Sequence, residues 1–484
     1  MIKARVHKIY QIFRPIISYQ VIPILFFYLL GRRYYIMRPL VNADFFIVGI
    51  LGLWLPWQIT SGVYFLVLAN EIICHAAPLY HLGIGEFLIS LTYARFVSFQ
   101  VWFDEVVPLL VACVLISIVG SFLGRTRNRA IPATTLCVCG VLVCLLDVMN
   151  GTSFLPLGLN STFINANIAY SGIRRTTLAV LELANRVETK FTPLRPEETA
   201  TETIRKELKS RKIGMLPPNV VVVIVESMGR FLNPAAEKLW LSRFSSVALS
   251  SRYHIHFGEV PFTGRTIQGE FRELCQVQLL NYGHSVPSNC LPELLKKNGY
   301  ETIALHGFTN QFYRRYEWYP MLGFDKVYFA EEMRGLGYNR TCGAGFVGIC
   351  DADVLQQIHK ELLQGKETGK SKFIYWMTLN SHLPFAPGAG SESSFPCDVK
   401  LFDGQDSPKL CSYAKLVDLV LSGLAELAAD PEIPPTQFVI VGDHSPAFKR
   451  LNLLPLFDAK NVPSIDLIPR GYATVNLAIS SRAR

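Results

Sequence analysis

Hydrophobic residues form long runs in the first third of the chain and short ones in the second half, and the two lengths predict different elements. The long runs lie near Pro15 to Gly31, Phe45 to Asn70, Gly85 to Phe103, Val106 to Gly124 and Ile131 to Met149. Each is close to the roughly 20 residues that a helix needs to cross a bilayer, although the third carries Arg95 and several polar groups. The short runs are Val220 to Val225, Thr302 to Leu305, Phe373 to Thr378 and Phe438 to Val441. Rich in β-branched and aromatic residues, they read as strands buried on both faces, the signature of a parallel sheet. Helical stretches fall between them, including Leu291 to Asn298, stopped by Gly299, and Tyr413 to Ala429. This alternation predicts an α/β sandwich around a mostly parallel sheet.

The expected organisation is an N-terminal transmembrane helical bundle of about five spans over 1–149, a juxtamembrane connector over 150–218 and a soluble α/β domain over 219–484. The connector contains a polar, helix-prone stretch from Glu197 to Lys212, and Pro217 and Pro218 close it. An odd number of spans puts the two ends on opposite sides. The basic start (Lys3, Arg5, Lys8, Arg14) and the Arg125, Arg127 and Arg129 cluster then both fall on the cytoplasmic side, and the α/β domain is exported. Arg32, Arg33 and Arg38 would occupy an outward loop, which strains that rule and leaves a count of three open. Either odd count exports the domain. No small-residue cleavage site follows the first apolar run, so a removable signal peptide is not expected.

Composition agrees with a membrane anchor followed by a soluble domain. Of 484 residues 50% are hydrophobic and 18% are charged, and mean hydropathy is +0.27. The formal net charge of +9 comes with no basic stripe interleaved with aromatics, so juxtamembrane contact with anionic lipid accounts for it and a nucleic-acid partner is not expected. Five of the 11 cysteines (Cys74, Cys113, Cys137, Cys139, Cys144) lie in or beside apolar runs, where a thiol behaves as a small hydrophobe. The other six are Cys275, Cys290, Cys342, Cys350, Cys397 and Cys411, an even set that predicts disulfides in an oxidising compartment. Pairing of sequence neighbours is the simplest of about 15 arrangements. Zinc held by thiolates is the rival reading, but no C-x-x-C pair is present.

Polar side chains then mark the strand ends. Glu226 follows the first short run, His306 the second, His382 lies just past the third, and Asp443 with His444 follows the fourth. Open α/β sheets place ligands at the carboxyl ends of parallel strands, so these residues should converge. Two carboxylates and an imidazole suit a divalent cation such as zinc or manganese. A single histidine at such a place is more often structural, so the weight lies on the ensemble. Between the first two strands, Gly264 to Phe271 (GRTIQGEF) presents the hydroxyl of Thr266. A threonine ahead of a helix is ordinarily an N-cap. The same hydroxyl beside a cation and a helix N-terminus would also be a good nucleophile.

The series Glu226-Ser227, Gly264-Arg265-Thr266 with Glu270-Phe271, His306-Gly307 followed by Tyr313 and Arg315, Ser381-His382-Leu383-Pro384-Phe385, and Gly442-Asp443-His444 resembles lipoteichoic acid synthase and related phosphoglycerol and phosphoethanolamine transferases. These belong to the alkaline phosphatase and sulfatase superfamily. The resemblance runs from about Asn219 to the C-terminus and extends to the membrane anchor. It implies that Glu226, Thr266, Asp443 and His444 bind one manganese-like or zinc ion. By the same resemblance Thr266 is the nucleophile, while His306, Tyr313, Arg315 and His382 line the phosphate and headgroup pocket. His382 or His306 would protonate the leaving oxygen. The cysteine set is more similar to the periplasmic enzymes of Gram-negative bacteria than to the single-membrane synthases. Val225-Glu226-Ser227-Met228-Gly229 departs from the Gly-Glu-Thr-Ala-Arg of lipid A phosphoethanolamine transferases, and no C/S-x-P-x-R motif for formylglycine is present.

The implied activity is transfer of a phospho-headgroup, phosphoglycerol or phosphoethanolamine, from a membrane phospholipid to a polysaccharide or glycolipid acceptor through a phospho-threonine. The implied location is a multi-pass enzyme of the bacterial inner membrane with its catalytic domain in the periplasm. A metal-dependent phosphodiesterase or sulfatase-like hydrolase would use the same cradle with water as acceptor.

Overall fold

The computed structural model describes residues 9–472 except 12, 35–40, 80–83, 127–128, 151–168, 185–189, 211–215, 282–284, 387, 406 and 449–452. Lys3, Arg5, Lys8, Arg38 and Arg127, and the connector over 151–168, 185–189 and 211–215, lie outside the described residues. The chain forms two compact units, Met1–Ala94 with Phe99–Asn185, and Arg95–Ser98 with Arg186–Arg484.

In the first unit, three helices among the described residues are long and apolar enough to cross a membrane: Ile9–Gly31, Trp57–Ala77 and Phe99–Leu123. The sequence predicts about five spans, and the count of three concerns the described residues alone. The run from Phe45 to Asn70 breaks into helices Asp44–Trp54 and Trp57–Leu79 because Leu55, preceding Pro56, is extended with ψ 155°. The run from Gly85 to Phe103 becomes short pieces, Ile84–Ser90, Leu91–Phe96 and Phe99–Val101, the last continuing into Val107–Leu123. Ala130–Asn150 is helical, with a described apolar stretch of only Ala130–Val143. Some buried polar groups inside this unit are paired: Asn42 Nδ2 donates to Glu71 Oε2 at 2.5 Å, and Asp44 accepts from Ser171 Oγ at 2.6 Å and Ile173 N at 2.9 Å.

The second unit is built on a seven-stranded sheet. Its strands are β1 (Asn219–Val225), β2 (Tyr253–Pro261), β3 (Glu301–His306), β4 (Lys326–Tyr328), β5 (Lys372–Met377), β6 (Thr436–Gly442) and β7 (Asn461–Pro469), in the order β2-β7-β6-β1-β5-β3-β4. The five from β6 to β4 are parallel, whereas β7 and β2 run antiparallel at one edge. The four predicted strands are β1, β3, β5 and β6, and they form the centre. The antiparallel edge was not legible because β2 is mostly exposed or half-buried without alternation, Phe257 being exposed.

Two cores explain why β1 is hydrophobic throughout. Val221, Val223 and Val225 face helices α3 (Asp351–Thr368) and α4 (Pro408–Ala429), while Val220, Val222 and Ile224 face α1 (Thr266–Cys275) and α2 (Arg315–Met321). All six are fully buried, each contributing about 1.5–3 kcal/mol relative to exposure. The cysteines pair as sequence neighbours: Cys275–Cys290, Cys342–Cys350 and Cys397–Cys411. Part of the expected connector is folded into this unit. Lys190–Pro193 pairs with Val277–Asn281, the backbone amides of Ala200 and Thr201 donate to Glu273 Oε2, and Arg205 Nη2 donates to Leu274 O.

The helix Glu202–Ser210 is also tied to the sheet through Asp466, which accepts from Thr203 Oγ1 at 3.0 Å and Gln437 Nε2 at 2.9 Å. Burial pushes the Asp466 carboxyl up to about 6 despite these bonds. A carboxyl raised in the folded state favours folding at low pH, and that contribution is lost as pH rises from about 4 through 6. Asp466→Asn should therefore raise the melting temperature above pH 6 and leave it nearly unchanged near pH 4, as thermal unfolding across pH would measure.

Candidate active site

Parallel register brings the strand ends level. Val225 of β1 lies opposite Gly442 of β6, and Met377 of β5 lies opposite both Ile224 of β1 and His306 of β3. The next residue along β1 is Glu226 and the next along β6 is Asp443, so two carboxylates emerge side by side. Single ligand atoms of Glu226, Asp443 and His444 lie within 4.8 Å of one another, and all three residues are buried. His444 Nε2 is 3.2 Å from Asp443 Oδ2 and 3.7 Å from Glu226 Oε1.

The turns that hold these groups are tightly specified. Ser227 follows Glu226 in the left-handed region with φ 57°, a cost of about 1–3 kcal/mol that surrounding bonds must offset. Its amide donates to Asp443 Oδ1 at 2.7 Å, its hydroxyl donates to Glu226 Oε1 at 2.9 Å, and Tyr413 Oη donates to its carbonyl at 2.8 Å. Thr378 Oγ1 accepts from the Glu226 amide, and Ser381 Oγ donates to the Glu226 carbonyl at 2.5 Å. A Cβ at Gly442 would come within 2.0 Å of Met228 O, so only glycine fits where β6 passes this turn. A Cβ at Gly269 of α1 would stand 2.9 Å from Asp443 Cβ, which shows how closely that helix abuts the acid.

Thr266 is the first residue of α1. The N-cap is Arg265, with φ −132° and no side-chain cap bond, so the ordinary N-cap reading of Thr266 does not hold. Its Oγ1 is instead 3.2 Å from Glu226 Oε2.

Electrostatics single out the same cluster. Burial and the neighbouring Glu226 charge push the Asp443 carboxyl up to about 7, against the amides of His444 and Ser227 that favour its charged form. Burial lowers His444, but the charges of Asp443 and Glu226 outweigh it and hold the imidazole above its ordinary value. Asp443 Oδ2 accepts no hydrogen bond. A buried, orphaned carboxylate oxygen beside a second carboxylate and an imidazole fits a divalent cation, with the Thr266 hydroxyl within reach of the same group.

The other predicted residues surround this cluster in different states. His306 Nδ1 lies 2.9 Å from Met377 O, and burial together with the charge of Arg315 holds the ring well below its usual range. His382 packs edge-on against Phe346 with ring centroids 4.5 Å apart, and burial brings it down to about 4. In both rings burial disfavours the charged imidazolium. Burial pushes the Tyr313 hydroxyl up to about 12, and its ring centroid lies 5.3 Å from Arg315 Cζ. Arg315 is 1% exposed and pairs with Glu270 at 2.9 Å. Sequence reasoning missed the roles of Ser227, Thr378, Ser381, Tyr413 and Glu270. Only Glu270 carried a usable signal, the four-residue spacing from Thr266 that puts both on one helix face.

The sulfatase family model matches residues 218–463, half of the chain, and the chain belongs to that family. Among curated relatives, phosphoglycerol transferase I of Escherichia fergusonii is 26% identical over 252 residues, covering 48% of this chain and 32% of that protein. The same enzyme of Citrobacter koseri is 25% identical over 213 residues, covering 41% and 27%. The chain thus spans about a third of the length of the curated relatives it matches. Among solved structures, the lipoteichoic acid synthase LtaP of Listeria monocytogenes is 20% identical with TM-score 0.37, covering 52% of this chain and 65% of that one. The phosphoglycerol transferase GacH of Streptococcus pyogenes, in complex with sn-glycerol-1-phosphate, is 18% identical with TM-score 0.38, covering 59% and 78%.

Asp443→Asn and His444→Ala should each lower zinc or manganese affinity by about tenfold or more while the circular dichroism spectrum stays native. Metal analysis of the purified chain checks this, and full metal content in either variant contradicts the ligand assignment.

Proposed function

We propose that this chain is a membrane-anchored transferase that moves a phospho-headgroup, phosphoglycerol or phosphoethanolamine, from a bilayer phospholipid to a cell-envelope glycan or glycolipid. The carrying observation is the Thr266 hydroxyl: it begins α1 without capping it and is 3.2 Å from a buried acid of a cation-type cluster. Membership of the sulfatase family, two relatives named phosphoglycerol transferase I and three apolar helices support the reading. In this reading 1–149 anchors the enzyme in the inner membrane, 150–218 connects, and 219–484 works in the periplasm.

Glu226, Asp443, His444 and Thr266 would hold one zinc or manganese ion, whose charge would offset the carboxylates and the phosphoryl oxygens. The chain's own groups do the rest. Thr266 Oγ1 bonds to phosphorus as the bond from phosphorus to the diacylglycerol oxygen breaks. One proton moves in all, from Thr266 to the departing alcohol, with Glu226 Oε2 the acceptor already in hydrogen-bond reach. An acceptor hydroxyl then displaces Thr266 by the reverse proton movement. His382 or His306 serves the leaving oxygen as a hydrogen-bond partner, and Arg315 offers charge to the phosphoryl group. Anchoring serves the chemistry, because the donor is confined to the membrane surface.

Thr266→Ala should fold with a stability change within about 1 kcal/mol, since no cap bond is lost, and lose headgroup transfer by roughly a thousandfold or more. Release of diacylglycerol from labelled phosphatidylglycerol measures this. Near-normal release from the folded variant would overturn the mechanism.

A further inference from the structure

Glu270 is fully buried on α1 and collects donors from two other elements. Arg315 Nη2 donates to Oε2 at 2.9 Å and Arg315 Nε lies 3.3 Å from each oxygen. Tyr319 Oη and Tyr375 Oη donate to Oε1 at 2.5 and 3.1 Å. The carboxylate is thereby saturated, and its charge balances a guanidinium that is itself 1% exposed. Two of the three guanidinium nitrogens are used. The third, Arg315 Nη1, is buried and has no hydrogen-bond partner.

A buried N–H of a charged group without an acceptor is rarely tolerated unless a ligand supplies one. Placement says which ligand. Glu270 follows Thr266 by four residues, so the two side chains share one face of α1, about 5–6 Å apart. The guanidinium that Glu270 holds also lies beside Tyr313 and acts on His306. Arginine with one edge fixed and one nitrogen free is suited to a phosphoryl oxygen.

We infer that Glu270, steadied by Tyr319 and Tyr375, is a positioning residue: it fixes Arg315 so that Nη1 meets a non-bridging oxygen of the phosphodiester attacked by Thr266. The inference rests on the phosphoryl-transfer reading of the Thr266 site. The Glu270–Arg315 pair is thus part of the reaction site as well as of the core.

The test uses the full chain in detergent, loaded with zinc or manganese, and calorimetry with inorganic phosphate, which needs no turnover. Glu270→Gln is expected to keep its metal and native circular dichroism and to bind phosphate at least tenfold more weakly. Arg315→Ala is expected to lose phosphate binding and to regain it with millimolar guanidinium, which the intact Glu270 would seat. The double variant Arg315→Ala/Glu270→Gln should show no such rescue. Micelles of phosphatidylglycerol in competition with phosphate distinguish a lipid headgroup from a free anion as occupant, and the Glu270 dependence must hold for whichever binds. Wild-type phosphate affinity in Glu270→Gln, no rescue in Arg315→Ala, or equal rescue in single and double variants would each overturn the inference. Failure of the wild-type chain to transfer any headgroup would sink the transferase reading alone and leave these binding results standing.

Discussion

Two carboxylates forced together out of water are the constraint on which the rest of this site depends. Parallel pairing of β1 with β6 sets Val225 opposite Gly442, so Glu226 and Asp443 must emerge as neighbours. Burial and the charge of Glu226 push the Asp443 carboxyl up to about 7, so holding both acids charged is costly. An arrangement this costly persists when something else offsets it, and a bound cation together with the raised His444 would do so. The left-handed Ser227, the glycines at 269 and 442 and the Tyr413 hydroxyl are the local devices that keep the two acids in register.

The helix α1 then ties the acid pair to the Glu270–Arg315 pair. Its first residue offers the Thr266 hydroxyl to Glu226, its fourth packs as bare backbone on Asp443, and its fifth carries the acid that holds Arg315. The Thr266 hydroxyl, the acid pair and Arg315 are therefore referenced to one rigid element, which is how close placement is kept without relying on loops. The disulfide Cys275–Cys290 fastens the far end of that helix.

Much of this was legible because it rests on short-range pattern. The runs 220–225, 302–305, 373–378 and 438–441 are hydrophobic at nearly every position, the pattern of a sheet covered on both faces, and Glu226, His306, His382, Asp443 and His444 at or just past their ends marked the expected ligand side. What escaped was set by tertiary context. Leu55-Pro56 splits one apolar run, and the run from Gly85 to Phe103 breaks into short pieces, breaks that run length alone does not reveal. The edge strands β2 and β7 have weak periodicity and are fixed by pairing. The lowered basicity of His306 and His382 depends on burial that no spacing encodes, and the Glu270 carboxylate looked like an ordinary helix acid until Tyr319, Tyr375 and Arg315 were seen to close on it.

The proposed covalent passage of the headgroup through Thr266 can be observed directly. The full chain would be quenched while turning over phosphatidylglycerol with no acceptor, then digested and examined by mass spectrometry. The expected result is one phosphoglyceryl group on the peptide bearing Thr266, which disappears when a glycan acceptor is added. An unmodified Thr266 in a chain that is releasing diacylglycerol, or the group on any other residue, would contradict the account.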